Sequence, residues 1–84
     1  MILEKKIERF MDQIVENVKN ERIKRGISQL ALAQILGHKS PNYVAKIETR
    51  KHDVSYNLEH LYKIASEFGL EVRDLIPQIK EITK

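Results

Sequence analysis

Apolar side chains stand at Leu3, Ile7, Phe10, Ile14 and Val18, and Glu4, Lys5, Lys6, Glu8, Arg9, Asp12 and Glu16 fill positions between them. Steps of three and four residues put the apolar set on one face, so the spacing predicts an amphipathic helix over 2–18. No proline or glycine interrupts the chain before Gly26, whereas Asn17 and Asn20 weaken the middle. One long helix, or two with a slight break, is expected. The 3, 7, 10, 14 spacing also fits a heptad seam, but it covers fewer than the ~3–4 heptads that argue for a coiled coil. Packing back onto the domain is therefore favoured over dimerisation for this segment.

The stretch 27–48, ISQLALAQILGHKSPNYVAKIE, reads as two short helices joined by a tight turn. Ser28 is suited to cap the first, and Leu32, Ala33 and Leu36 fall on one of its faces. Gly37 stands where a left-handed residue ends a helix without steric cost. Ser40 and Pro41 restart the chain as N-cap and first helical residue. The second helix then turns Val44 and Ile47 inward, leaving Asn42, Tyr43, Ala45 and Lys46 on other faces. Asn42 and Lys46, four residues apart, are neighbours.

Further on, Asn57 is an N-cap, with Tyr56 placed to staple to Leu61. Leu58, Leu61, Ile64, Ala65 and Phe68 form the expected buried stripe, and Gly69 ends the helix. A shorter helix over 72–76 precedes Pro77. The tail 78–84 alternates apolar and charged residues, and both disorder and docking are open to it.

At 84 residues this is expected to be one small domain: an N-terminal helical extension (1–13), a core (14–76) and a tail (77–84). A chain this short buries only about 60% of its unfolded surface, which favours oligomerisation. The absence of cysteine excludes disulfides and thiolate metal sites, and His38, His52 and His60 lack metal-ligand spacing. No cofactor is expected. No apolar run approaches the ~20 residues of a membrane span, and charge follows Met1 too closely for a secretory signal, so a cytoplasmic location without membrane attachment is expected.

The net charge of +3 is unevenly spread. Residues 1–18 hold three basic and four acidic side chains (−1), and 53–84 hold four and six (−2). Between them, 19–52 hold eight basic residues (Lys19, Arg22, Lys24, Arg25, Lys39, Lys46, Arg50, Lys51) against Glu21 and Glu48, a net +6. Such a field attracts phosphates and makes binding fall with salt. A charge run is usually a solvated surface, but this one coincides with the two-helix pattern.

Arg22-Ile23-Lys24-Arg25-Gly26-Ile27-Ser28-Gln29, the Leu32-Ala33 pair, Leu36-Gly37 and the run from Ser40 to Glu48 stand in the order of a known family. The chain resembles the XRE-type helix-turn-helix regulators of the lambda Cro and phage repressor kind over roughly residues 14–76. The resemblance implies an all-α, lambda repressor-like bundle of about five helices, with an extended N-terminal helix. The turn 37–40 runs one residue longer than the usual pattern, and the loop 49–57 is longer too.

The resemblance also sets Arg22 against Glu48 as an inward-facing ion pair. A buried pair of this kind mainly fixes orientation, whereas an exposed one is worth about 0–1 kcal/mol. Gln29 is placed at the DNA backbone, free to bond a phosphate or the start of the reading helix. Asn42 suits adenine N6/N7, and Lys46 suits guanine O6/N7 or a phosphate. Tyr43 suits a phosphate or a thymine methyl, although half-buried tyrosines more often complete a core edge. Lys39, Ser40, Arg50 and Lys51 are candidate backbone contacts, with His38 and His52 weaker ones. Leu30 and Ile35 are read as extra packing against the N-terminal helix, with a partner surface as the alternative. In this family the C-terminal region commonly forms the dimer contact, which makes Leu70, Val72, Leu75, Ile76 and Ile79 candidates for interface as well as core.

The expected function is a sequence-specific DNA-binding transcriptional regulator, a repressor-type homodimer on double-stranded DNA with a palindromic operator. The alternative is a protein-interaction module or antitoxin component that keeps the fold and binds a protein partner. An enzyme is not expected, since the chain lacks a Gly-rich phosphate loop, a metal-ligand cluster and a nucleophile–base set.

Overall fold

The structure is a computed structural model that describes residues 2–51 and 54–83. Among these residues the secondary structure is entirely helical: α1 (Ile2–Lys24), α2 (Gln29–Ile35), α3 (Asn42–Thr49), α4 (Leu58–Phe68), a 3-10 helix (Val72–Leu75) and α5 (Ile79–Thr83). The 23 residues of α1 run unbroken past Asn17 and Asn20. At ~1.5 Å per residue they account for most of the 37 Å long dimension. Asn17 is tolerated mid-helix because its side chain bonds to other groups. It accepts from Gln13 Nε2 (2.9 Å) and donates through Nδ2 to the carbonyl of Leu75 (3.1 Å).

Ile14, Val15 and Val18 of α1, Leu32 and Ala33 of α2, Val44 and Ile47 of α3, and Leu61, Ile64, Ala65 and Phe68 of α4 meet in one core, closed by Tyr56, Leu36 and Leu75. Ser28 Oγ accepts the N–H of Ala31 (3.0 Å), and Asn57 Oδ1 accepts that of His60 (2.8 Å), so both helix starts are capped as expected. Gly69 ends α4 in the left-handed region (φ 70°), and the next N–H, from Leu70, returns to the carbonyl of Ala65 (2.8 Å).

Several expectations are corrected. Leu58 is 73% exposed rather than part of the buried stripe, because a side chain at the first helical position leans back past the helix start, and Tyr56 fills the core there instead. The segment after Gly69 is 3-10 rather than α-helical, ending at Leu75, with the Glu71 N–H donating to Asp74 Oδ2 (2.9 Å) at its start. Packing of the N-terminal segment begins only at Phe10, since Leu3 and Ile7 are 64% and 52% exposed. Leu30 also stays exposed, while Ile35 packs against the core.

The tail docks. The side chain of Ile82 is buried against α1, and Arg9 donates to the Ile82 carbonyl. Of the apolar candidates near the C-terminus, Leu75 is core, Leu70, Val72 and Ile76 are half-buried against it, and Ile79 is exposed. Leu3, Ile7 and Phe10 of α1 and Ile79 and Ile82 of α5 line an apolar groove.

Candidate nucleic-acid interface

The turn between α2 and α3 is built from local bonds. Leu36 caps α2, Gly37 takes φ 90°, a value an L side chain rarely adopts, and the His38 N–H reaches back to the carbonyl of Ala33 (2.9 Å). Regular α3 starts at Asn42, one residue later than expected, and Pro41 flanks it with near-helical dihedrals (φ −69°, ψ −12°). Ser40 nonetheless supplies a cap, its Oγ accepting the N–H of Asn42 (3.2 Å).

Val44 and Ile47 hold α3 to the core from behind. Asn42 and Lys46 are exposed, one turn apart, and among the described residues neither side chain makes a hydrogen bond or ion pair. Lys39 and Lys51 are likewise exposed, with no partner for their ammonium groups among the described residues. His52 lies outside the described residues.

The far end of α3 is tied down by a network around Glu48. Arg22 donates through Nε to Glu48 Oε2 (2.9 Å) and through Nη2 to Oε1 (3.0 Å), while its Nη1 reaches the carbonyl of Ile27 (2.9 Å). Gln29 Nε2 donates to Glu48 Oε1 (2.9 Å). The pair is largely buried, with side-chain exposures of 12% for Arg22 and 5% for Glu48. One carboxylate thus joins the end of α1, the α1–α2 turn, the start of α2 and the end of α3. For Gln29, expected at a phosphate or at the start of α3, the bond within the chain is to Glu48, at the end of α3 rather than its start. Nearby, burial and then the Glu48 charge push the Tyr56 phenol well above its ordinary range.

Arg50, expected as a backbone clamp, is likewise engaged by groups of the protein. It ends α3 in the left-handed region (φ 54°), and its guanidinium donates to Asp12 Oδ1 (2.8 Å) and to the Val54 carbonyl (2.6 Å). Arg25 is drawn inward too, pairing with Glu21, donating to the Phe68 carbonyl (3.0 Å) and lying over the Phe68 ring at 4.6 Å. Three of the eight basic residues in the positive segment are therefore held by acidic partners. Lys19, Lys24, Lys39, Lys46 and Lys51 have no ion-pair partner among the described residues.

A ring cluster joins the turn, α3 and α4. Tyr43 is half-buried, stacked on His38 with centroids 4.0 Å apart and planes 10° apart, and meets His60 edge-on at 5.7 Å. His60 in turn meets Tyr56 at 6.2 Å, and its Nδ1 accepts the backbone N–H of Asn57 (3.2 Å). The sequence reading missed this cluster. The available signal was the Asn57-x-x-His60 spacing, where histidine takes the third helical position usually held by Glu or Gln in a capping box.

Burial holds the His60 imidazole below its ordinary pKa of 6.5; His38 and Lys63 act in the same direction, and Glu59 opposes them. The folded state therefore binds fewer protons than the unfolded chain. The stability this contributes is complete above pH 6.5 and is lost as pH falls through the folded-state pKa. The urea midpoint is expected to fall between pH 7.5 and 5, and His60→Gln, which can keep the capping box, should flatten that dependence. An equally steep dependence in the variant would assign it to other groups.

Among the described residues no group of three His, Asp or Glu side chains is arranged to hold a metal ion, and no helix is long and apolar enough to cross a membrane. Comparison with known families matches residues 18–75 to the family described as Helix-turn-helix. Comparisons with curated proteins and with solved structures returned no match.

Proposed function

Because the chain belongs to the XRE-type helix-turn-helix family, a DNA-binding family, we propose that it is a sequence-specific transcriptional regulator that binds a palindromic operator as a homodimer. The observation that carries this reading is the exposed Asn42–Lys46 face of α3, held from behind by Val44 and Ile47 and fixed in angle by the Arg22–Glu48–Gln29 network. Asn42 reads adenine and Lys46 reads guanine or a phosphate. Lys39, Ser40 and Lys51 contact the backbone and set register without reading sequence. Gln29 and Arg50 act through contacts within the chain, Gln29 on Glu48 and Arg50 on Asp12 and the Val54 carbonyl, orienting α3 and the residues that follow it. Placed in the major groove, α3 presents Asn42 and Lys46 to the base edges.

Two such helices related by a two-fold axis enter successive major grooves about 34 Å apart. The apolar groove of α1 and α5 supports a dimer, since exposed apolar surface of this kind marks interaction sites. The same groove favours the second reading, a protein-interaction module or antitoxin component whose partner seats there. Selection from random duplexes, followed by anisotropy titration at two salt concentrations, separates the two. A regulator enriches a palindrome with half-sites one helical turn apart and loses affinity steeply as salt rises. A folded sample that binds no duplex at low salt would sink the regulator and leave the interaction module.

A further inference from the structure

Asn42 and Lys46 are flexible side chains, whereas Tyr43 is gripped. Its ring lies flat on His38, and the His60 ring meets it at 73°. His60 is itself anchored, through its bond from Asn57 and its contact with the buried Tyr56. A row of rings thus runs from the α2–α3 turn, across the second residue of α3, to the core. His38 stands in the turn between α2 and α3. Among the described residues the Tyr43 hydroxyl makes no hydrogen bond. A ring immobilised before binding loses little rotamer freedom on contact, so its position is transmitted to the partner as specificity.

We propose that His38 and His60 are positioning residues that hold Tyr43 against a thymine methyl in the major groove, so that discrimination at that one base pair passes through the ring stack. The proposal rests on the DNA-reading function above. An aromatic face suits the apolar contact that distinguishes thymine, and the stack sets its angle. His38 acts through Tyr43 and need not touch DNA itself.

The test uses the full chain, its best selected duplex and a set of single base-pair variants of that duplex. Tyr43→Ala identifies the base pair that Tyr43 reads. His38→Leu, which keeps bulk but removes the flat ring, should weaken discrimination at that same base pair by about 2- to 10-fold, the range expected for one aromatic contact. His38→Phe, which can stack, should restore it, and His38→Leu should add nothing in a Tyr43→Ala background. Equal losses at every base pair, as for a phosphate contact or a general loss of fold, would overturn the proposal. So would a loss at a different base pair, or failure of His38→Phe to rescue. A wild-type protein that binds duplex but shows unchanged discrimination in His38→Leu sinks the stack alone, whereas one that enriches no sequence removes the DNA-reading function beneath it.

Discussion

Glu48→Ala is expected to destabilise the fold by about 3–5 kcal/mol, because it strands the largely buried Arg22 guanidinium and takes the acceptor from Gln29. At ~0.05–0.15 kcal/mol per residue, a chain of this length has a total stability on the order of 4–13 kcal/mol. The loss is therefore a large fraction of the whole. Arg22→Met should cost a similar amount, leaving Glu48 charged with only Gln29 as its remaining partner. The double variant Arg22→Met/Glu48→Leu should recover most of the loss, since replacing both members of a buried pair by apolar groups is often neutral or stabilising. Urea unfolding of the four proteins measures the cycle. Single variants within ~1 kcal/mol of wild type would mean that the pair behaves like an exposed one. The double variant carries a second consequence: without the charged network the angle of α3 is set by packing alone, so its DNA affinity should stay below wild type even where stability returns.

The second large effect falls on binding. Asn42→Ala/Lys46→Ala is expected to lower affinity for the selected duplex by roughly 10²- to 10³-fold, from ~1–3 kcal/mol for each good base contact. The two residues are neighbours on one helix face, so their contributions need not add. Both side chains are exposed, and their loss should leave the unfolding free energy from urea titration within ~0.5 kcal/mol of wild type. Asn42→Ala alone should relax preference at one adenine while leaving the salt dependence unchanged. Lys46→Ala should do the same at a guanine if it reads a base, and should instead reduce the salt slope by about one if it holds a phosphate. Anisotropy titrations on the selected duplex and on an unrelated one separate these outcomes. Equal weakening on both duplexes would mean that α3 contributes charge and no reading.

Much of the framework is legible in the order of residues alone. Ser28 and Asn57 cap as expected, Gly37 and Gly69 sit at positive φ where helices end, and Val44, Ile47, Ile64 and Phe68 face the core. Each of these depends on residues within about four positions, a distance that helix geometry fixes by itself. Helix ends are less legible. Regular α3 begins one residue after Pro41, and the segment after Gly69 tightens into a 3-10 helix.

The candidate site is only half readable, for the same reason. The sequence offers eight basic residues in its positive segment as one field, but Arg50 reaches Asp12 38 positions away and Arg25 reaches Phe68 43 positions away. Gln29 and Glu48 stand 19 positions apart and meet across two helices. No periodicity encodes such meetings, since they require α1, α2 and α3 to be packed first.

By itself, then, the sequence determined the all-helical architecture, the helix-turn-helix unit and the exposed face of α3, because helix periodicity, caps and turn glycines are local physics. Tertiary packing alone decided which cations remain available, that the tail docks on α1, that Leu3, Ile7 and Leu58 stay outside the core, and that His38 and His60 close on Tyr43. These outcomes depend on how whole helices are placed against one another, and that placement is set by the shared core and by the buried Arg22–Glu48 pair.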